Sequence, residues 1–324
     1  MNTQILEPTT VNILRCASRL KTGALVAFPT ETVYALGAVA TDEQAVKKVY
    51  EVKRRPADKP LIVAVAKKSA IDTVAVNIPD KARLLIDKFM PGALTLLLDR
   101  APCIPDIVTA GSDTVAVRIP DNEIALRLIE LTGKPVVVPS ANTADRASST
   151  LAAHVKEDLD GKIEFILDGG QSEIGIESTI IDVRTDPPTV IRGGGTSLEE
   201  IEAVIGKVQI KREKPAARPP EIEVLFSAYY DGMVGTICAK YDELKAEGKK
   251  PVIICLDSSM AAFGDRKTVT VGSNYEQYAH NLFAVLRKAE SERYDAVIAE
   301  GVKSEGIGAS LIARLIKVSN GQII

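Results

Sequence analysis

From Thr10 to about residue 206, short apolar runs alternate with segments of helical period, and that alternation restricts this part of the chain to an α/β architecture. Thr10 to Leu20 reads as a helix with Val11, Leu14, Ala17 and Ser18 along one side, ended by Gly23, and "ALVAF" (24–28) follows as a buried strand. The pattern continues with expected helices over 43–52, 80–89, 123–132, 150–159 and 197–204. Strands are expected over 61–65, 94–98, 115–119, 136–138, 178–183 and 188–192. Adjacent strands without an intervening helix make the expected sheet mixed rather than wholly parallel.

After Gly206 the composition changes. The stretch "KVQIKREKPAARPPE" holds three prolines, five bases and two acids with no apolar period, so 207–231 reads as a linker. Beyond it "MVGTICA", "PVIICLD", "KTVTV" and "YDAVIAE" read as strands, with helices over 242–247, 275–291 and 308–317. The division is a first domain over 1–206, the linker, and a smaller α/β domain over 232–324; 324 residues at 46% hydrophobic content can fill two cores. "EGIGAS" (305–310) lacks the full G-x-G-x-x-G pattern and reads as a plain loop-to-helix turn.

With 40 Lys and Arg against 43 Asp and Glu, the net charge is −3, so any anion site must be local. Four scattered cysteines, Cys16, Cys103, Cys238 and Cys255, read as small buried hydrophobes rather than disulfides or a zinc site. Two distant histidines, His154 and His280, provide little material for a metal centre or a Ser-His-Asp triad, and no metal is expected among the protein's own ligands. No apolar run reaches the length of a membrane span, and the N-terminus lacks the order of a signal peptide; the expected location is the cytoplasm.

Against this background "KRRPADKP" (53–60) is unusual, with four bases and one acid. Its prolines stop the preceding helix, so Lys53, Arg55 and Lys59 are expected to project from a stiff loop at a strand entrance. Composition alone leaves a solvated basic turn, a phosphate clamp and a localisation signal all open. Other clusters of hydroxyls and arginines stand at strand ends of the same domain. "FPTETVYALG" (28–37) carries Thr32 and Tyr34, and "TVAVRIP" (114–120) carries Thr114 and Arg118, four apart and so on one face. "VPSAN" (138–142), "GIESTIID" (175–182) and "IRGGG" (191–195) add Ser140, Ser178 and Arg192. Together they suggest one concave anion site.

In this order, K-x-R-P-x-x-K-P, P-T-E-T-V-Y, T-V-A-V-R-I-P, P-S-A-N and G-I-x-S-T resemble the Sua5/YrdC/YwlC family of threonylcarbamoyl-AMP synthases. The likeness runs over about residues 10–206, and "NYEQYAHNLFAVLRKAE" with "EGIGASLIARLIK" resembles the C-terminal domain of the Sua5 branch. It implies a YrdC-like twisted mixed sheet with helices and a concave basic face, followed by a Rossmann-like C-terminal domain. The implied activity joins L-threonine, bicarbonate or CO2, and ATP with Mg2+ into threonylcarbamoyl-AMP and pyrophosphate. The product would pass to partners that place t6A on tRNA. Carried over, Lys53 and Arg55 would be catalytic. Arg55, Lys59, Thr114, Ser140, Asn142, Ser148 and Arg192 would bind ATP. Thr32, Tyr34, Val138, Arg118 and Ser178 would bind threonine, with Arg118 on its carboxylate. Arg54 would be dispensable.

The chain departs from the family pattern at Ala64, where His is usual, at Ala35, where Gly is usual, and at Ala144 and Asp145, where Ser-Gly is usual. A P-G-M-K-Y-x-H-Y-x-P segment is not found around 215–231, and Tyr229 and Tyr230 are not assigned to ATP. Two other readings stay open: formation of a carbamoyl-adenylate on another substrate, and an RNA-binding module. The second is opposed by the few aromatics and the negative net charge.

Overall fold

A computed structural model describes residues 2–144, 146–211 and 222–324. Asp145 and residues 212–221 of the expected linker lie outside the described residues. The chain divides into two compact units, one of Met1–Ala144 and Ser148–Lys211, the other of Asp145–Ala147 and Arg212–Ile324.

The first unit is built on one mixed sheet. From edge to edge its strands are Gln4–Leu6, Phe165–Leu167, Val26–Phe28, Ala35–Val39, Val136–Val137, Ile62–Ala64, Thr114–Arg118, Leu94–Arg100, Thr179–Asp182, Thr189–Arg192 and Gln209–Ile210. The short strand Ala75–Val76 adds to Leu94–Arg100 off this path. Thr114–Arg118 runs parallel to Ile62–Ala64 and antiparallel to Leu94–Arg100, which is itself parallel to Thr179–Asp182. Side-chain alternation supplies a core to each face. Ala27, Leu36 and Ala38 enter one apolar cluster, whereas Val26, Phe28, Ala35 and Val39 enter another.

Local signals account for the helices. Asp42 and Asn122 accept N–H groups at the starts of Glu43–Lys53 and Glu123–Thr132, and Ser197 with Glu200 forms a capping box for Leu198–Ile205. The helix Thr10–Lys21 buries Ile13, Cys16, Ala17 and Leu20. The expected Val11–Leu14 side is a correction, because both of those residues are exposed. The buried set packs with Phe165, Ala125 and Leu128, a more continuous apolar stripe than the other side could offer.

The second unit has four parallel strands in the order Glu223–Phe226, Ala296–Ala299, Pro251–Cys255 and Thr268–Thr270, connected by helices in the manner of a Rossmann-like sheet. "MVGTICA" is not a strand: it opens the helix Met233–Ala246. Its apolar run is short, but the buried residues Met233, Ile237, Tyr241 and Leu244 follow helical spacing past the end of that run. The unit's first strand lies instead at Glu223–Phe226, inside the stretch read as linker. "EGIGAS" does pass from loop to helix, at Gly306 before Ile307–Val318.

All four cysteines are free. Cys16 and Cys255 are buried as expected, Cys238 is half-buried, and Cys103 is exposed, which corrects the reading of all four as buried. No helix of the described residues is long and apolar enough to cross a membrane.

Candidate active site

The strand Thr114–Arg118 organises the site of the first unit. Thr114 and Arg118 stand at its two ends, about 13 Å apart at the usual rise of a strand.

At the Arg118 end the guanidinium is held on three sides. Nη1 donates to Thr32 Oγ1 at 2.9 Å, Nε donates to the Gly92 carbonyl at 3.1 Å, and Nη2 lies 2.5 Å from Oε1 of Glu31. Thr32 in turn shares a hydrogen bond of 2.9 Å with Thr30, whose hydroxyl donates to the Val33 carbonyl. Gly175 N donates to the Thr32 carbonyl and Ile174 N to that of Glu31, which brings the I-E-S-T segment beside P-T-E-T. Ser178 Oγ is 2.8 Å from Thr95 Oγ1, and Thr95 neighbours the strand position of Arg118. Arg192 donates from Nη2 to Ser178 Oγ at 3.1 Å and to its carbonyl at 2.7 Å, so two residues expected on different substrates are bonded to each other. Gly194 is required here: a Cβ would lie 2.2 Å from the Glu177 carbonyl oxygen. Only a glycine allows the I-R-G-G-G turn to approach Ser178 this closely.

Ala64 is the register partner of Arg118 on the adjoining parallel strand and is fully buried. The departure from the family pattern thus falls beside the guanidinium, where the side chain supplies no polar group. Tyr34 is buried, donating its hydroxyl to the Gly170 carbonyl at 2.7 Å and accepting from Gly169 N at 3.1 Å; burial pushes its phenol well above the ordinary range. Its main chain ties the P-T-E-T-V-Y loop to two others, with Tyr34 N donating to the Ser149 carbonyl and Ala141 N to that of Tyr34. Ser148 Oγ donates to Glu177 Oε1 at 2.8 Å. Val138, half-buried, donates its N–H to the Ile62 carbonyl.

The Thr114 end gathers the basic loop. Parallel pairing of Ile62 with Ala116 brings the end of "KRRPADKP" alongside Thr114, whose hydroxyl meets that of Ser112 at 2.8 Å. Lys59 is exposed, and its ammonium has no partner among the described residues. Arg55 is half-buried and braces its own loop, donating to the carbonyls of Lys59 at 3.1 Å and Pro60 at 2.8 Å; burial lowers its affinity for the proton. Arg54 is exposed and closes the preceding helix at φ 51°, the left-handed cap position.

Lys53 requires a correction. It does not project from the loop but is the last residue of the helix Glu43–Lys53, 2% exposed. Its ammonium donates to the carbonyls of Ser140 and Asn142, and its own carbonyl accepts from Ala144 N at 2.9 Å. Lys53 therefore clasps the P-S-A-N loop at three points and sets the positions of Ser140 and Asn142. Burial, reinforced by the Arg55 charge and opposed by Asp158, lowers its pKa to about 7.

The structure brings Thr32, Arg118 and Ser178 to one end together with Arg192, which was expected on the nucleotide, and adds Glu31, Thr95 and Glu177, which were not among the expected site residues. All three lie inside or beside quoted motifs or a core strand, and only the fold reveals which of them turn inward. A separate cavity of about 540 Å³, lined by residues including Ile13, Lys67, Ile124 and Arg127, contains none of the site residues. No group of three or more His, Cys, Asp or Glu able to hold a metal occurs among the described residues.

Two family models match the chain. One, described as "Telomere recombination" and covering Sua5, YciO and YrdC proteins, spans residues 18–194; the other, "Threonylcarbamoyl-AMP synthase, C-terminal domain", spans 196–319. A threonylcarbamoyl-AMP synthase from Pyrococcus abyssi is 43% identical over 95% of this chain and 94% of its own. One from Bacillus subtilis is 38% identical over 96% and 94% respectively. The crystal structure of P. abyssi Sua5 complexed with L-threonine superposes with a TM-score of 0.91 at 41% identity, covering 100% of this chain and 98% of that one.

Proposed function

Because this chain belongs to the Sua5/YrdC family of threonylcarbamoyl-AMP synthases, we propose that it makes L-threonylcarbamoyl-AMP and pyrophosphate from L-threonine, bicarbonate or CO2, and ATP. The observation that carries the reading is the polarity of one strand. Arg118, held by Thr32 and Glu31 and near Ser178 and Thr95, places a buried guanidinium at this end, a partner for the carboxylate of an amino acid. The basic loop at the other end offers Lys59 and the remaining donors of Arg55 to phosphate oxygens.

In this scheme the threonine amine attacks CO2 and loses a proton to give a carbamate. A carbamate oxygen then attacks the α-phosphorus of ATP, and pyrophosphate leaves. No covalent enzyme nucleophile is needed, so catalysis rests on positioning and charge neutralisation. Mg2+ would travel on the triphosphate as part of the substrate. Thr32, Arg118 and Ser178 hold threonine, with Tyr34 and the backbone of Val138 forming its wall. Arg55, Lys59, Thr114, Ser140, Asn142, Ser148 and Arg192 serve the nucleotide. Lys53 acts through the Ser140–Asn142 loop, as a positioning residue. We assign the product to t6A formation on tRNA by partner proteins in the cytoplasm.

Pyrophosphate release tests this. Release should require ATP, threonine and bicarbonate together, and Arg118→Ala should raise the threonine concentration needed. Release that proceeds equally without threonine would refute the assignment.

A further inference from the structure

Glu31 has no role in the scheme above, yet it sits at its centre. The residue is 5% exposed, and Oε1 lies 2.5 Å from Arg118 Nη2. Among the described residues neither carboxylate oxygen has a hydrogen-bond partner, and neither does Nη2. The contact is thus charge attraction without the alignment of a hydrogen bond, whereas Nε and Nη1 of the same guanidinium are both aligned on acceptors. Three buried polar atoms left unaligned at one point are costly, and they call for an explanation.

Charge counting supplies one. Arg118 and Glu31 sum to zero. A ligand bearing only a carboxylate would bring an uncompensated negative charge into a largely desolvated site, which is strongly disfavoured. A ligand bearing a carboxylate and an ammonium on one carbon adds no net charge. It can also meet both open needs, with its oxygens on Nη2 and its N–H groups on Glu31. Glu31 is one residue from Thr32, whose hydroxyl already faces Arg118, so the carboxylate and the guanidinium are presented from the same short segment.

We propose that Glu31 is a specificity-determining residue that receives the α-ammonium of the amino-acid substrate. With Arg118 it selects a zwitterion over a carboxylic acid of the same shape. The inference rests on the reading of the Arg118 end as the amino-acid site. Selection comes from the unfavourable charge that the wrong ligand would leave as much as from the contacts of the right one.

Calorimetric titration of the full chain with L-threonine, and with the α-hydroxy acid of the same skeleton, separates the possibilities. Wild type should favour threonine by about tenfold or more. Glu31→Gln should weaken threonine by a similar factor while leaving the hydroxy acid unchanged or bound more tightly. An equal loss of both ligands would mean that Glu31 only holds Arg118 in place, and an unchanged preference would also overturn the proposal. Should Glu31→Gln fail to fold, Glu31→Asp decides: a retained preference supports the role, and equal weakening of both ligands overturns it. Wild type that binds no threonine refutes the amino-acid reading itself, a result distinct from either outcome in the variants.

Discussion

Lys53 shows how a basic residue can sit in a conspicuous motif and yet be buried, bonded to the backbone of another loop. Its ammonium donates to the carbonyls of Ser140 and Asn142, so Lys53→Met removes both hydrogen bonds and should lower unfolding free energy by about 2 kcal/mol. Urea denaturation measures this. The pH dependence has a definite sign. The native pKa of Lys53 is lowered to about 7 against an ordinary 10.5, so between these values the unfolded chain holds a proton that the folded chain has lost. Stability from this site therefore rises through that window and is absent below it. The gap between wild type and Lys53→Met should widen as pH increases, and a constant gap would contradict the lowered pKa. Arg54, by contrast, is an exposed cap at positive φ; Arg54→Gly should change stability by less than about 1 kcal/mol and leave turnover intact.

Elements were legible where period and cap agreed. Glu43–Lys53 and Glu123–Thr132 carry an apolar stripe behind an Asp or Asn cap, and both fall where expected. "MVGTICA" misled because β-branched residues and a short apolar run look alike in a strand and at the start of a helix. Gln4–Leu6 and Phe165–Leu167 escaped notice for a different reason: three-residue strands have too little pattern, and the edge strand Gln4–Leu6 is a strand only because Phe165–Leu167 pairs with it. The candidate site was legible as a set of motifs at strand ends, but the side-chain partners of Arg118 and Lys53 depend on loops that meet far apart in sequence. The turn at 192–195 shows the consequence. Gly194→Ala drives a Cβ into the Glu177 carbonyl, 2.2 Å away, and should displace Ser178 and Arg192 together. Turnover should fall at least tenfold, with a lowered melting temperature; a variant with wild-type kinetics would show that the close approach is unnecessary.

At the scale of the whole chain, a net charge of −3 argues against general attraction to nucleic acid, and the cations we propose for the substrates are concentrated in one loop and at one strand end. The match to threonylcarbamoyl-AMP synthases along 94% of their length makes the same reaction the expectation for this chain. That reaction leaves a mark no simpler activity would produce, because carbon from bicarbonate becomes joined to both threonine and AMP. The most direct measurement is therefore mass spectrometry of the product formed from ATP, L-threonine and 13C-bicarbonate. One labelled carbon should appear in an adduct containing threonine and AMP, and none should appear when Arg118 is replaced by alanine at low threonine. An adenylate of threonine without the label, or pyrophosphate released with no such adduct, would contradict the account.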